Sequence, residues 1–181
     1  MKLRTLFTFP DPVNEVSARL VAGGVVVLAV MAIAFQQRWL VALLAYGFVA
    51  RVLTGPKLSP LGLLVTTVVT PRLPLRPKFV PGPPKRFAQA IGATLSLAAV
   101  IVWFGFDQPV IASVLVGAIV FAATLESVFA FCLGCALFGL LMKAGVIPDE
   151  VCERCNNLSL GRGEPKPDAA MPAKPDGVVR V

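Results

Sequence analysis

Polar residues in this chain are not mixed with apolar ones. They gather at the two ends and in one central loop, leaving long apolar blocks between them. The first block, Val16 to Phe35, has about the 20 residues a helix needs to cross a ~30 Å hydrocarbon layer. Asn14 or Ser17 is placed to cap its start. Gln36-Gln37-Arg38 makes a tight polar turn. Trp39 opens a shorter second block to Leu53, stopped by Thr54-Gly55-Pro56. The third block runs from Phe87 to Phe106, with Trp103 expected as an interfacial anchor beside Trp39. Gly105-Phe106-Asp107-Gln108-Pro109 turns the chain again. The fourth block goes from Val110 to Lys143, well beyond the ~20 residues that span a membrane. No turn signal divides it. It predicts one helix that crosses the bilayer and continues along or beyond the cytosolic face, with Gly134 as the place for a kink.

Residues 54–86 hold Pro56, Pro60, Pro71, Pro74, Pro77, Pro81, Pro83 and Pro84. A spanning helix cannot be built from the proline-dense half. The apolar stretch Leu61 to Val69 within it predicts a short helix lying in the membrane interface. The expected architecture is therefore an all-α integral membrane domain over residues 1–147. Four transmembrane helices (16–35, 39–53, 87–106, 110–143) form a bundle of two helical hairpins, joined by a Pro-rich basic cytosolic loop. Beyond Asn156 the residues are Gly, Pro, Lys, Asp and Ala-rich, and 148–181 is read as the tail. They predict a largely disordered cytosolic tail.

Composition agrees with this class. The 181 residues are 56% hydrophobic and 15% charged, against about a quarter charged in soluble domains. The net charge of +7 could suggest nucleic acid, but its placement does not. Arg51, Lys57, Arg72, Arg76, Lys78, Lys85 and Arg86 flank or occupy the central loop with no acidic residue among them. Only Arg38 serves the two short turns. This is the positive-inside pattern, with both termini cytosolic. It predicts contact with the lipid bilayer and its anionic headgroups, and no nucleic-acid binding. The chain has no histidine, which removes imidazole as base or metal ligand.

The chemistry lies in cysteine. All four fall in two Cys-x-x-Cys pairs, Cys132/Cys135 inside the fourth block and Cys152/Cys155 in the polar tail. On a continuous helix Cys132 and Cys135 share one face, one turn apart. A disulfide between them would be strained and readily exchanged. Late in such a helix the dipole disfavours a thiolate, so Arg51, Lys85, Arg86 and Lys143 are the cations expected to compensate. Buried cysteine also serves simply as a small hydrophobe, and that packing reading stands beside the reactive one. The spacing Cys-x2-Cys-x16-Cys-x2-Cys over Cys132, Cys135, Cys152 and Cys155 matches a four-cysteine zinc site. The ~15 Å of helix expected after Cys135 keeps the pairs apart unless the tail folds back. No other cofactor site is readable. Glu126 is the one carboxylate in an expected span, and such a group is a functional candidate by default. Its rotation on a continuous helix keeps it off the thiols. It serves either as a proton-transfer group or as half of an ion pair with Arg51, Lys85 or Arg86.

These residues give the chain its resemblance. Over about residues 9–142 it resembles domain-of-unknown-function family 4395, bacterial multi-pass membrane proteins. The likeness rests on Phe9-Pro10-Asp11-Pro12-Val13-Asn14-Glu15 with Arg19; on Arg51 and Gly55-Pro56-Lys57-Leu58-Ser59-Pro60-Leu61; on Pro84-Lys85-Arg86-Phe87-Ala88 with Ile91-Gly92; and on Leu125-Glu126 leading to Phe131-Cys132-Leu133-Gly134-Cys135. The resemblance implies a plasma-membrane location with Glu126, Cys132 and Cys135 as the marked residues. It also implies a thioredoxin-like or sulfurtransferase partner, since such genes tend to lie near those of the family. The expected function is electron or sulfur transfer by the Cys132/Cys135 dithiol with a cytosolic partner of that kind. The alternatives are a permease for an inorganic sulfur anion, which needs a homo-oligomer, and a non-catalytic scaffold or zinc-binding protein.

Overall fold

The structure, a computed structural model, describes residues 12–73 and 78–146. Helix α1 (Glu15–Ala34) starts at an N-cap: Asn14 Oδ1 accepts from the Val16 N–H at 3.0 Å. Phe35, Gln36 and Gln37 reverse the chain into α2 (Arg38–Thr54), which Gly55 ends at φ 66°, a conformation glycine adopts without Cβ strain.

The loop beyond Gly55 is more helical than its prolines suggest. A 3₁₀ turn (Gly55–Lys57) leads to α3 (Pro60–Leu63), a π-helical turn (Leu64–Val69) and α4 (Thr70–Arg72). Ser59 caps α3 by accepting from the Gly62 N–H, and Pro60 takes the first position, where its missing N–H costs nothing. The Thr66 and Thr67 hydroxyls donate to the Gly62 and Leu63 carbonyls at 2.8 and 2.6 Å. That competition with the backbone accompanies the widened turn. A two-residue antiparallel pairing of β1 (Val13–Asn14) with β2 (Phe79–Val80) then ties the start of α1 to the chain ahead of α5.

Helix α5 (Gly82–Phe106) begins five residues before the expected Phe87. Pro83 and Pro84 fall in its first turn, where no intrahelical N–H bond is lost. Helix α6 (Pro109–Phe129) packs on α1 and α5, and α2 packs on α1 and α5. The core between them is rich in alanine: Ala22, Ala29, Ala32, Ala99 and Ala112 are almost fully buried around Val25, Leu44 and Val116. Small side chains let helices approach closely. Trp103 is not an exposed anchor but part of this core, 6% accessible, whereas Trp39 stays exposed and stacks edge-on against Phe104. Val27, Ile101, Val114 and Phe121 point outward. Four helical stretches are long and apolar enough to cross a membrane: Glu15–Ala34, Arg38–Arg72, Gly82–Phe106 and Pro109–Phe129.

The largest departure from expectation is in the fourth block. The single helix 110–143 is two, α6 and α7 (Leu133–Lys143). Ala130 turns left-handed at φ 56°, and the N–H groups of Ala130 and Phe131 both bond back to the Leu125 carbonyl. Arg19 on α1 supplies the rest. Its Nε and Nη2 donate to the Ser127 carbonyl at 3.1 and 3.0 Å, and Nη2 also reaches the Val128 carbonyl at 3.1 Å. The last carbonyls of a helix need partners from outside it. Here a guanidinium from another helix provides them.

Candidate functional site

The break moves the dithiol from the late part of one helix to the beginning of another. Cys132 is the N-cap of α7 and Cys135 lies in its first turn. The Cys132 carbonyl accepts the first intrahelical bond, from the Ala136 N–H at 3.0 Å. The positive end of the helix dipole now faces the thiols instead of opposing a thiolate. Both cysteines are free thiols and half-buried. α7 is held on α5 by one face. Gly134 meets Ala88 so closely that a Cβ there would clash with the Ala88 Cβ and lie 2.5 Å from its Cα, and Phe138 stacks edge-on against Phe87 at 5.5 Å.

That contact brings the N-terminal turns of α5 to the dithiol. Lys85 is buried and forms an ion pair with Glu126 Oε1. The side chains are 10% and 14% exposed, so neither charge is balanced by bulk water. The fields of Lys85 and Glu126 reach both thiols. The expectation that Glu126 stands off from the thiols is thus corrected: the turn at Ala130 folds Cys132 and Cys135 back toward it, with Lys85 in common. The other expected cations are placed differently, with Lys143 in the last turn of α7, at the far end from the dithiol. Arg51 Nε donates to Gln89 Oε1 at 2.9 Å and Nη1 to Ser59 Oγ at 3.1 Å, with Glu126 in reach of its charge. Arg86 Nε donates to the Val52 carbonyl on α2 at 3.1 Å.

Sequence reasoning missed Gln89 and Ser59 as partners of Arg51, and Arg19 as the group that shapes the turn. A lone Gln in an apolar block was the available signal for the first. Cys152, Cys155 and the tail 148–181 lie outside the described residues. Among the described residues, no group of three or more potential metal ligands forms.

The order of elements and the placement of Arg51, Lys85, Glu126 and the dithiol fall within one matched region. The sequence profile called Domain of unknown function (DUF4395) matches residues 13–143. The chain belongs to that family. No curated protein and no solved structure matches it. The match includes Cys132 and Cys135 and stops before Cys152 and Cys155, so the second pair is an addition to the DUF4395 domain of this chain.

The two thiols of this DUF4395 protein are electrostatically unequal. The Cys135 thiol, donating to Cys132, holds Cys132 below the ordinary thiol range, and the Lys85 ammonium pulls the same way; burial and Glu126 oppose it. The same hydrogen bond pushes Cys135 up, together with burial. A thiol with a lowered pKa is already thiolate at lower pH. Iodoacetamide should therefore modify Cys132 first, with a rate that levels off at a lower pH than an ordinary cysteine. In Cys135→Ala the midpoint of that profile should move upward. Mass-spectrometric mapping of the alkylated residue across pH checks this, and preferential labelling of Cys135 would contradict it.

Proposed function

We propose that this protein is a thiol-exchange protein of the bacterial plasma membrane, in which Cys132 attacks and Cys135 resolves. The observation that carries the reading is a dithiol at the N-terminus of α7 with the buried Lys85 ammonium in reach. Helix N-termini and adjacent cations are what activate thiolates. The spans form two hairpins, α1–α2 and α5–α6, with the basic loop and both termini on the cytosolic side, as the distribution of Lys and Arg favours. The partner is a cytosolic thioredoxin-like protein or sulfurtransferase.

With a partner disulfide, the Cys132 thiolate attacks one sulfur, the partner's S–S bond breaks, and one partner thiolate leaves. Cys135 then loses its proton and attacks Cys132 Sγ. The mixed disulfide breaks, the second partner thiolate leaves, and the Cys132–Cys135 bond forms. Two electrons pass to the partner. With a partner persulfide, the Cys132 thiolate takes the terminal sulfur and the partner leaves as thiolate, with no net oxidation.

The test is covalent trapping. In a Cys152→Ser/Cys155→Ser background, a thioredoxin-like partner lacking its resolving cysteine, with its remaining cysteine carried as an aromatic mixed disulfide, should pass to Cys132 with release of the aromatic thiolate; Cys135 then displaces it in the wild-type dithiol, and the adduct should persist in Cys135→Ser. The adduct should vanish in Cys132→Ser. An adduct that survives in Cys132→Ser/Cys135→Ser would sink the proposal. Labelling by a membrane-impermeant maleimide in inverted but not in right-side-out vesicles tests the sidedness.

A further inference from the structure

Arg19 does more than fill the end of α6. In a continuous helix each N–H bonds to the carbonyl four residues back. The Phe131 N–H would then bond to the Ser127 carbonyl and the Cys132 N–H to the Val128 carbonyl. Those are the two acceptors that Arg19 holds: Nε and Nη2 donate to Ser127 at 3.1 and 3.0 Å, and Nη2 donates to Val128 at 3.1 Å. The Phe131 N–H bonds to the Leu125 carbonyl instead, and Cys132 takes an extended backbone at φ −91°, ψ 107°.

A guanidinium suits this place for two reasons. Its planar fork presents several donors to neighbouring oxygens in a fixed geometry, which a lysine ammonium does not. Its charge sits at the negative end of the α6 dipole. Gly23, one turn further along α1, admits the approach: a Cβ there would lie 3.1 Å from Ser127 Oγ. The local sequence pulls the other way. Between Leu125 and Leu133 there is no glycine and no proline. Ala130 stands at φ 56°, where a residue with a Cβ is strained by about 1 kcal/mol or more. Local preference alone would carry the helix straight through the cysteines.

We propose that Arg19 is the positioning residue of the dithiol: by taking the Ser127 and Val128 carbonyls it stops α6 short of Cys132, so that α7 begins at the cysteines and turns its N-terminus toward them. The proposal rests on the thiol-exchange reading for its chemistry, and on bonds to the backbone for its geometry. Without Arg19, α6 gains the bonds from Phe131 and Cys132. Cys132 then lies inside a helix, away from the free N–H groups of a first turn that favour a thiolate. The packing of Gly134 and Phe138 on α5 is left to hold the bend.

Arg19→Met keeps most of the side chain's reach and removes its donors. In the full-length protein in nanodiscs it should slow Cys132 alkylation by iodoacetamide at neutral pH roughly tenfold, and raise the midpoint of the pH profile by about one pH unit. The Cys132 Cα and Cβ chemical shifts should move from extended toward helical values. Arg19→Lys, with one ammonium for two carbonyls, should fall between. Glycine takes a left-handed φ without Cβ strain and weakens a helix interior, so Arg19→Met/Ala130→Gly should recover part of the rate and of the extended shifts. A role for Arg19 in stability alone predicts no such recovery. If Arg19→Met does not fold, Arg19→Lys and Arg19→Lys/Ala130→Gly decide by the same readings. A wild-type pH midpoint with an extended Cys132 in the folded variant overturns the proposal, and so does slowed alkylation that Ala130→Gly does not relieve. Failure of wild-type Cys132 to form any adduct with its partner would instead overturn the thiol-exchange reading, while the Cys132 chemical shifts would still decide whether Arg19 sets the bend.

Discussion

Replacing Lys85 by methionine is expected to destabilise the protein by about 3–5 kcal/mol and to slow Cys132 alkylation at neutral pH roughly tenfold. The two effects have different origins. Stability falls because the Glu126 carboxyl group, 14% exposed at its side chain, is left in a poorly solvated position without its partner. Reactivity falls because the Cys132 thiolate loses the ammonium whose field favours it. Where a thiol's pKa lies above the ambient pH, a rise of one unit removes about nine-tenths of its thiolate. The double replacement Lys85→Met/Glu126→Leu tests both. Exchanging a buried ion pair for apolar side chains is commonly neutral or stabilising, so thermal stability should return close to wild type. The alkylation rate should also return, because the field of Glu126, which opposes the thiolate more than Lys85 favours it, is removed with the cation. Denaturation monitored by cysteine accessibility, with iodoacetamide kinetics on both variants, makes the comparison. A wild-type alkylation rate in the single Lys85→Met variant would mean that Lys85 serves packing alone.

The spans were legible because they rest on one-dimensional information. An uninterrupted apolar block of about 20 residues has no inexpensive place to go but a helix in lipid. Asn14 as a cap and Gly55 as a stop act through the nearest backbone groups; sequence reasoning offers Asn14 beside Ser17 for the first and Thr54-Gly55-Pro56 for the second. The start of α5 was missed by weighing the number of prolines in the loop above their position: Pro83 and Pro84 fall in a first turn that tolerates them. Trp103 was missed because hydropathy does not say which side of a helix meets its neighbours.

The break at Ala130 is a different case. Neither Ala130 nor its neighbours carry a turn signal. The group that bonds the freed carbonyls is Arg19, more than a hundred residues earlier in the chain. A non-glycine residue at positive φ costs about 1 kcal/mol or more and persists only where its surroundings enforce it. The consequence for the site is large. The same two cysteines, read on an unbroken helix, sit at the wrong end of a dipole. Once the helix ends at Phe129, they sit at the favourable end of the next one and within reach of Lys85 and Glu126. The residues that meet here carry their chemistry in the sequence, but the end of the helix dipole they face does not follow from it.

Substituting Gly134 with valine should have the other large effect, through geometry alone. A Cβ at this position would overlap the Ala88 Cβ and fall 2.5 Å from the Ala88 Cα. The Cα is backbone and cannot swing aside, so α7 must move off α5. Overpacking of this kind costs about 1–3 kcal/mol. Phe138 against Phe87, with Met142 beside them, is the rest of the apolar contact holding α7 in place, and it cannot form at the old spacing. Amide exchange in α7 should accelerate, and Cys132 alkylation should slow several-fold as the dithiol withdraws from Lys85. Gly139→Ala is the matched control. A Cβ there meets nothing within 4 Å, so alanine should be neutral or add up to about 1 kcal/mol through helix propensity, with reactivity unchanged. If Gly134→Val leaves both the α7 exchange rates and the Cys132 rate at wild-type values, the α5–α7 contact does not position the dithiol. Lys85 would then need another route to its influence on the thiols.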